Sequence, residues 1–269
     1  MRRLCALLGV TRAGYYAWQA RPESGRRKQD RQLLEVIRGL FARSRGTYGS
    51  PRVHLSLMRA GWAVSRRRVE RLMRSAGLRG RVARIYRARP GLHRLFEKHP
   101  NLLWKRSAKR PNEIWVGDVT YLALGRQWRY LAVVMDQRSR RIVGWSLGRG
   151  RGVGLTRRAF DAAIRRRRPR RGLIFHSDRG IEYAGKAMTT RLAALGVRQS
   201  MTRGGCPGDN AHAESFFHSL KADVIHGTRF STERELRSCI QSYIYFYNQQ
   251  RMHSSIDGLS PAEYESHVA

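Results

Sequence analysis

The chain has 269 residues, with 54 lysines and arginines against 19 aspartates and glutamates, a formal net charge of +35. A charge this large repels itself unless a polyanion is close, so the composition points to nucleic acid and, more weakly, to an anionic membrane surface. Hydrophobic residues make up 41% of the chain, enough for a buried core, which excludes a disordered basic tail. The excess is uneven. Residues 1–110 hold 29 basic and 5 acidic groups, and the remaining 159 hold 25 and 14. The first part reads as a binder, whereas the second keeps carboxylates that need a reason beside a polyanion. Cys5, Cys206 and Cys239 stand far apart without zinc-ligand spacing, which fits a reducing, cytoplasmic setting. No apolar run approaches the roughly 18 residues of a membrane span, so the membrane surface loses ground.

In chain order, residues 1–20 predict a short helical piece in which Thr11 caps a second stretch of helix. Residues 29–43 place Leu33, Leu34, Ile37 and Phe41 on one helical face. Ser50 before Pro51 marks a helix start, with Val53, Leu57 and Met58 as its apolar positions and Gly61 as its stop. Ser65 caps a further helix carrying Val69, Leu72 and Met73 and ending at Gly77. Two short helices around a glycine turn suggest a helix-turn-helix, with Arg66, Arg67 and Arg68 in the first turn of the second helix, where such motifs meet DNA. Residues 81–110 read as a basic linker.

After Pro111 the pattern changes. IWVGDVTYLAL, RYLAVVMDQ and RRIVGWSLG predict an antiparallel meander. A helix, the short strand GLIF, a second helix, the strand VRQSM and the helix DNAHAESFFHSLKADVI follow, an α/β domain mixing antiparallel and parallel strands. Trp115, Trp128 and Trp145 read as core. RRRRPRR at 165–171 reads as a solvated helix end. A helix with a capping box at Thr232 and Glu235 precedes the tail YNQQRMHSSIDGLSPAEYE.

Residues 111–220 contain eight acids, and three stand where a catalytic site would be built. Asp118 lies within the first strand, Asp178 follows the fourth, and Glu214 sits in the helix after the fifth. Ligands of open α/β sheets bind outside strand ends. Clustered carboxylates call for cations, and two Mg²⁺ ions about 4 Å apart would clamp both oxygens of a phosphodiester displacement. Helical spacing puts Asn210, His218 and Lys221 on the face of Glu214. Asp136 reads as a turn residue, Asp161 and Glu182 as surface acids, and His176 as either a substrate-orienting or a packing residue.

The spacing then becomes specific. Thirty-five residues separate Asp178 from Glu214, within the strings WVGDVTYL, IFHSDRGIEY and DNAHAESFFHSLK. Together these resemble the DDE transposases of bacterial insertion-sequence family three. The tail resembles that family's C-terminal signature, and YGSPRVHLSLMRAGWAVSRRRVERLMRSAGLRG resembles its helix-turn-helix. The resemblance implies an RNase H-like, retroviral-integrase-like core at 111–225, an all-α helix-turn-helix region within 1–80 and a C-terminal helix and tail at 226–269. It implies metal-ligand and catalytic roles for Asp118, Asp178 and Glu214, with Mg²⁺ as cofactor and Mn²⁺ as its substitute. Lys221 and Asn210 become candidate DNA contacts. The implied reaction is hydrolysis at the element's 3′ ends followed by attack of the freed 3′-OH on target DNA, with no covalent protein–DNA intermediate. Implied partners are the element ends, target DNA, further copies of the chain on DNA and an upstream reading-frame product. Gly117 departs from the hydroxyl residue common at that position, and the loop GGCPGDNA departs from the commoner form. Another RNase H-like nuclease and a non-enzymatic DNA-binding regulator are the alternatives.

Overall fold

The computed structural model describes residues 1–20, 22–80, 100–104, 106–203 and 207–268. Residues 81–99 of the expected linker, and Cys206, lie outside the described residues. The chain forms two compact units, Met1–Gly80 and Arg81–Ala269.

The first unit is all helical: α1 (Arg2–Leu7), α2 (Arg12–Ala20), α3 (Gly25–Arg43), α4 (Ser50–Arg59) and α5 (Arg66–Ser75). The Thr11 hydroxyl accepts the Gly14 N–H at 3.0 Å and starts α2. Ser24 caps α3, whose first residue stands four before the periodic run. Gly49, not Ser50, is the cap of α4, so Ser50 and Pro51 form its first turn. Ser65 caps α5 and accepts the Arg68 N–H. Leu33 and Ile37 of α3, Val53 and Leu57 of α4, and Val69, Leu72 and Met73 of α5 are buried, whereas Met58 is exposed. Gly61 and Gly77 both have positive φ where α4 and α5 stop, a conformation that costs glycine little.

The second unit is built on a five-stranded mixed sheet in the order β3-β2-β1-β4-β5. β1 (Ile114–Leu124), β2 (Gln127–Asp136) and β3 (Ile142–Gly148) are the antiparallel meander, while β4 (Ile174–Ser177) and β5 (Arg198–Met201) continue it in parallel with β1. α6 (Val153–Arg167) lies against β2 and β3. An added Cβ on Gly144 of β3 would sit 2.2 Å from the Ala159 carbonyl oxygen, so glycine lets this helix approach the sheet. Trp115, Phe160 and Phe175 join in edge-to-face contacts in the core between them. α7 (Ile181–Ala184) and α8 (Lys186–Ala194) complete that layer. The end of the expected linker packs here too, because the Leu102 N–H donates to the Ser200 hydroxyl and Leu102 and Leu103 cover Ile114 and Ile174.

α9 (Ala211–Leu220) packs against β1, and α10 (Glu233–Gln249) against β3. The helix predicted as continuous over 209–225 is three pieces. A 3-10 turn, Pro207–Asn210, precedes α9, and a π turn, Lys221–Ile225, follows it. Thr232 and Glu235 make the full capping box of α10. The tail ends in α11 (Pro261–Val268), whose buried Glu265 receives Arg141, Arg167 and the Ser139 hydroxyl. Arg167, expected in a solvated run, is therefore tied inward. Tail residue Arg251 is buried as well, its Nε 3.2 Å from an Asp223 carboxylate oxygen that also accepts the Tyr243 hydroxyl at 2.8 Å.

Candidate active site

β4 accompanies β1 for only four residues, and the pairing ends at Gly117 opposite Ser177. Asp118, next on β1, and Asp178, just past the end of β4, follow that pair. Two parallel strands that stop pairing together thus deliver both acids to the same end of the sheet. Beyond Ser177 that edge of β1 has no paired strand among the described residues.

Gly117 has a steric reason. An added Cβ would lie 2.5 Å from Cζ of the Phe175 ring and 3.2 Å from the Tyr183 ring, so the neighbouring aromatics occupy the space a hydroxyl residue would need. The Gly117 carbonyl accepts the Asn210 Nδ2 at 3.3 Å. Asn210 is buried, and its amide holds β1 just before Asp118 instead of facing DNA, which corrects its expected role. Asn210 ends the 3-10 turn and flanks α9, so it stands outside the regular helical spacing that links Glu214 to Lys221.

Asp118 is half-buried, with one carboxylate oxygen accepting the Val119 N–H at 2.8 Å. Burial and the Asp178 charge hold it well above the ordinary carboxylate range, with Glu214 adding to the rise and Arg151 opposing it. Asp178 is pushed up to about 6 by burial and then by Glu182, against the pull of Arg151. Its Oδ1 is buried without a hydrogen-bond partner among the described residues. Glu214 is exposed in the first turn of α9, and desolvation raises it. Asp118 therefore feels the charge of both other acids, and Asp178 that of Glu214. Among the described residues, however, no group of three or more His, Cys, Asp or Glu is gathered tightly enough to hold a metal ion.

Lys221 is half-buried at the start of the π turn, with Nζ 4.7 Å from the centroid of the Tyr121 ring. Desolvation lowers it, and the charge of Asp118 works the other way. In the first unit, Arg66 and Arg67 are exposed, whereas Arg68 is half-buried. Arg68 Nε lies 2.7 Å from Asp30 of α3, so this arginine fastens α5 to α3.

Several residues near the acids were not found by sequence reasoning. Glu182, read as a surface acid, is 2% exposed and paired with Arg151 at 2.7 Å. That arginine, just before α6, also stands 3.9 Å from Asp178. Asp161 is likewise paired, with Arg191 at 2.8 Å. His176 is fully buried, its Nδ1 2.8 Å from the Ser200 hydroxyl, a packing role. Asp136 accepts the backbone N–H groups of Asn112, Arg138 and Ser139, as a turn residue should. Trp115 is core, but Trp128 is 53% exposed, contrary to its expected burial. Only the charge repulsion among the scarce acids had a sequence signal. Arg151 is one of 48 arginines and had none.

Two integrase core domain models match residues 108–207 and 214–268, and an HTH-like domain model matches residues 28–86. The chain is 37% identical over 274 aligned residues to the transposase InsF for insertion sequence IS3A of Escherichia coli (strain K12), covering 99% of this chain and 94% of that protein. It is also 37% identical over 263 residues to a 31 kDa protein of insertion element IS600 from Shigella sonnei, covering 97% of each. Among solved structures, the HTLV-2 integrase catalytic core domain in complex with magnesium aligns with a TM-score of 0.45 at 18% identity, over 59% of this chain and 99% of that one. An HTH-like unit followed by an integrase core, matched along nearly its whole length, means that this chain belongs to the IS3 family of insertion-sequence transposases.

Proposed function

We propose that the transposition chemistry of this chain runs through Asp118, Asp178 and Glu214, which bind two Mg²⁺ ions, with Mn²⁺ as a substitute. The chain is a DNA-integrating polynucleotidyl transferase, and integrase cores generally use divalent metal ions. The observation that carries the site is the common end of β1 and β4, where Asp118 and Asp178 come together and the Asp178 charge raises the proton affinity of Asp118. The donor set suits a hard divalent cation: all three ligands are carboxylates, and the buried Asp178 Oδ1 has no hydrogen-bond partner among the described residues. When bound, the ions would activate the attacking water or 3′-OH and stabilise the leaving oxygen.

The protein's own groups do the rest. Arg151 holds Glu182 and offsets part of the negative charge beside Asp178. Asn210 fixes the backbone of β1 beside Asp118. Lys221 touches a phosphate of the element end, and Arg66 and Arg67 bind DNA from α5. Further copies of the chain assemble on the DNA, and an upstream reading-frame product takes part. The reaction is hydrolysis at the 3′ ends of the element followed by strand transfer.

The test is incubation of the purified chain with Mg²⁺ or Mn²⁺ and DNA bearing the element's ends. Cutting or joining is expected, and Glu214→Gln abolishes it. A mutant as active as its parent overturns the site. Cutting that follows DNA structure without end preference marks a different nuclease. Tight binding without metal-dependent chemistry, in the presence of any upstream product, marks a regulator.

A further inference from the structure

The meander carries an exposed aromatic feature on β1 and β2, three residues along β1 from Asp118. Tyr121 of β1 and Trp128 of β2 are 59% and 53% exposed. Their rings meet edge to face, with centroids 5.1 Å apart. They are diagonal partners on one face of the hairpin, because Tyr121 pairs with Tyr130 and Ala123 with Trp128. Ala123 is exposed between them and too small to obstruct the surface. Lys221 caps the Tyr121 ring at 4.7 Å and feels the charge of Asp118, which links this surface to the acid site. Arg126, at the hairpin tip, is exposed as well.

Two large aromatics exposed in mutual contact make an apolar surface whose covering by a ligand is favourable. Cations beside the rings make the cover an anion that also offers a flat apolar face, and a nucleotide has both. A base inside a duplex is already stacked and presents mainly sugar and phosphate outward, so only an unpaired base offers its face to these rings.

We propose that Tyr121 and Trp128 form a stacking seat for unpaired nucleotides next to the phosphodiester being cut or joined, with Lys221 holding the adjoining phosphate. The seat draws a frayed end of the DNA away from its complement and keeps the strand in line with the acids. Its place relative to the cut rests on the assignment of Asp118, Asp178 and Glu214.

The experiment uses the full chain with chelator present, so that binding is read without turnover. The probes are a forked oligonucleotide duplex with 2-aminopurine at the unpaired position and a blunt duplex of the same sequence. Tyr121→Ala and Trp128→Ala are each expected to weaken the forked probe about tenfold, within the range for loss of one aromatic stack, and to abolish 2-aminopurine quenching. Blunt-duplex affinity stays within about twofold, and Tyr121→Phe and Trp128→Phe restore the fork preference. Unchanged preference, or equal losses on both probes, overturns the seat. So does a Trp128→Ala effect confined to the mass of the free protein, which would mean that a second copy covers the ring. Glu214→Gln separates the two readings. Loss of cleavage with the fork preference kept supports both, retained cleavage overturns only the acid assignment, and a lost preference in the aromatic variants alone leaves the acids standing without affecting that test.

Discussion

At Asp118 the needs of folding and of chemistry diverge. A half-buried carboxylate facing two others is held above its ordinary proton affinity, so the ionised form is destabilised in the folded state. Asp118→Asn keeps the shape and removes the charge. With chelator present it is expected to raise Tm by about 2–4 °C, corresponding to about 1 kcal/mol, when followed by thermal melting. On the proposed assignment of Asp118 as a metal ligand, the same variant is expected to lose strand cleavage by about a thousandfold or more, about 4 kcal/mol of transition-state stabilisation. An unchanged or lower Tm would show that the repulsion is absent from the folded chain. The residue just before it makes a steric argument. Gly117→Ser drives a side chain into the Phe175 ring, at a cost of about 1–3 kcal/mol in urea unfolding. Phe175→Leu in the same chain recovers part of that loss, and strict additivity of the two changes would disprove the clash. The three proposed acids were singled out by their spacing and scarcity. Arg151 and Glu182 were not, because an ion pair formed across 31 residues of chain leaves no periodic trace.

At the scale of elements, the helix-turn-helix is held by a charge clamp as much as by its apolar stripe. Asp30 of α3 accepts Arg68 at 2.7 Å and Arg71 at 2.6 Å from α5. These two hydrogen bonds hold its carboxyl below the ordinary range. The sign follows from that direction: the clamp stabilises the unit fully above the unfolded aspartate value of about 4 and is lost as pH falls through the lower folded value. Asp30→Asn removes this dependence and costs about 1 kcal/mol at pH 7, because both arginines remain partly in water. Hydrogen exchange of α3 and α5 amides in the full chain reads the effect, and equal protection in parent and variant at pH 7 would rule the clamp out. A dry pair behaves differently. Asp223 and Arg251 are 3% and 5% exposed and join the π turn after α9 to the chain beyond α10. Asp223→Asn leaves a guanidinium buried beside a neutral amide and costs about 3–5 kcal/mol by denaturant unfolding. The strands and the caps at Ser65 and Thr232 were legible, because apolar runs and Ser/Thr starts are local signals, whereas the caps at Ser24 and Gly49 were missed. The π turn was not, since its Asp223 is engaged by a residue 28 positions on, which leaves no local periodic signal. The tail signature around Arg251 was visible as a pattern only, and burial supplies its reason.

Over the whole molecule, the charge of +35 divides into spent and available parts. Arg141 and Arg167 hold α11 through Glu265, Arg251 holds the turn beside Lys221, and Arg68 and Arg71 hold α5 to α3. These are structural cations, and composition cannot distinguish them from DNA-facing ones, since both are arginines on amphipathic elements. Salt dependence can. Each phosphate neutralised by a DNA-facing cation releases counterions and adds about 0.9 to the slope of log affinity against log salt. Arg66 and Arg67 are exposed in the first turn of α5. Replacing both with alanine should lower the slope on duplex DNA by about 2 and leave Tm unchanged. Arg68→Ala should do the reverse, lowering Tm and altering the slope by much less than 1, because its guanidinium is committed to Asp30. Fluorescence anisotropy titrations between about 50 and 200 mM salt, within the range where such slopes are linear, resolve the difference. If Arg68→Ala lowers the slope as much as either neighbour does, its pairing with Asp30 gives way to phosphate when DNA binds, and α5 approaches the duplex by a different face.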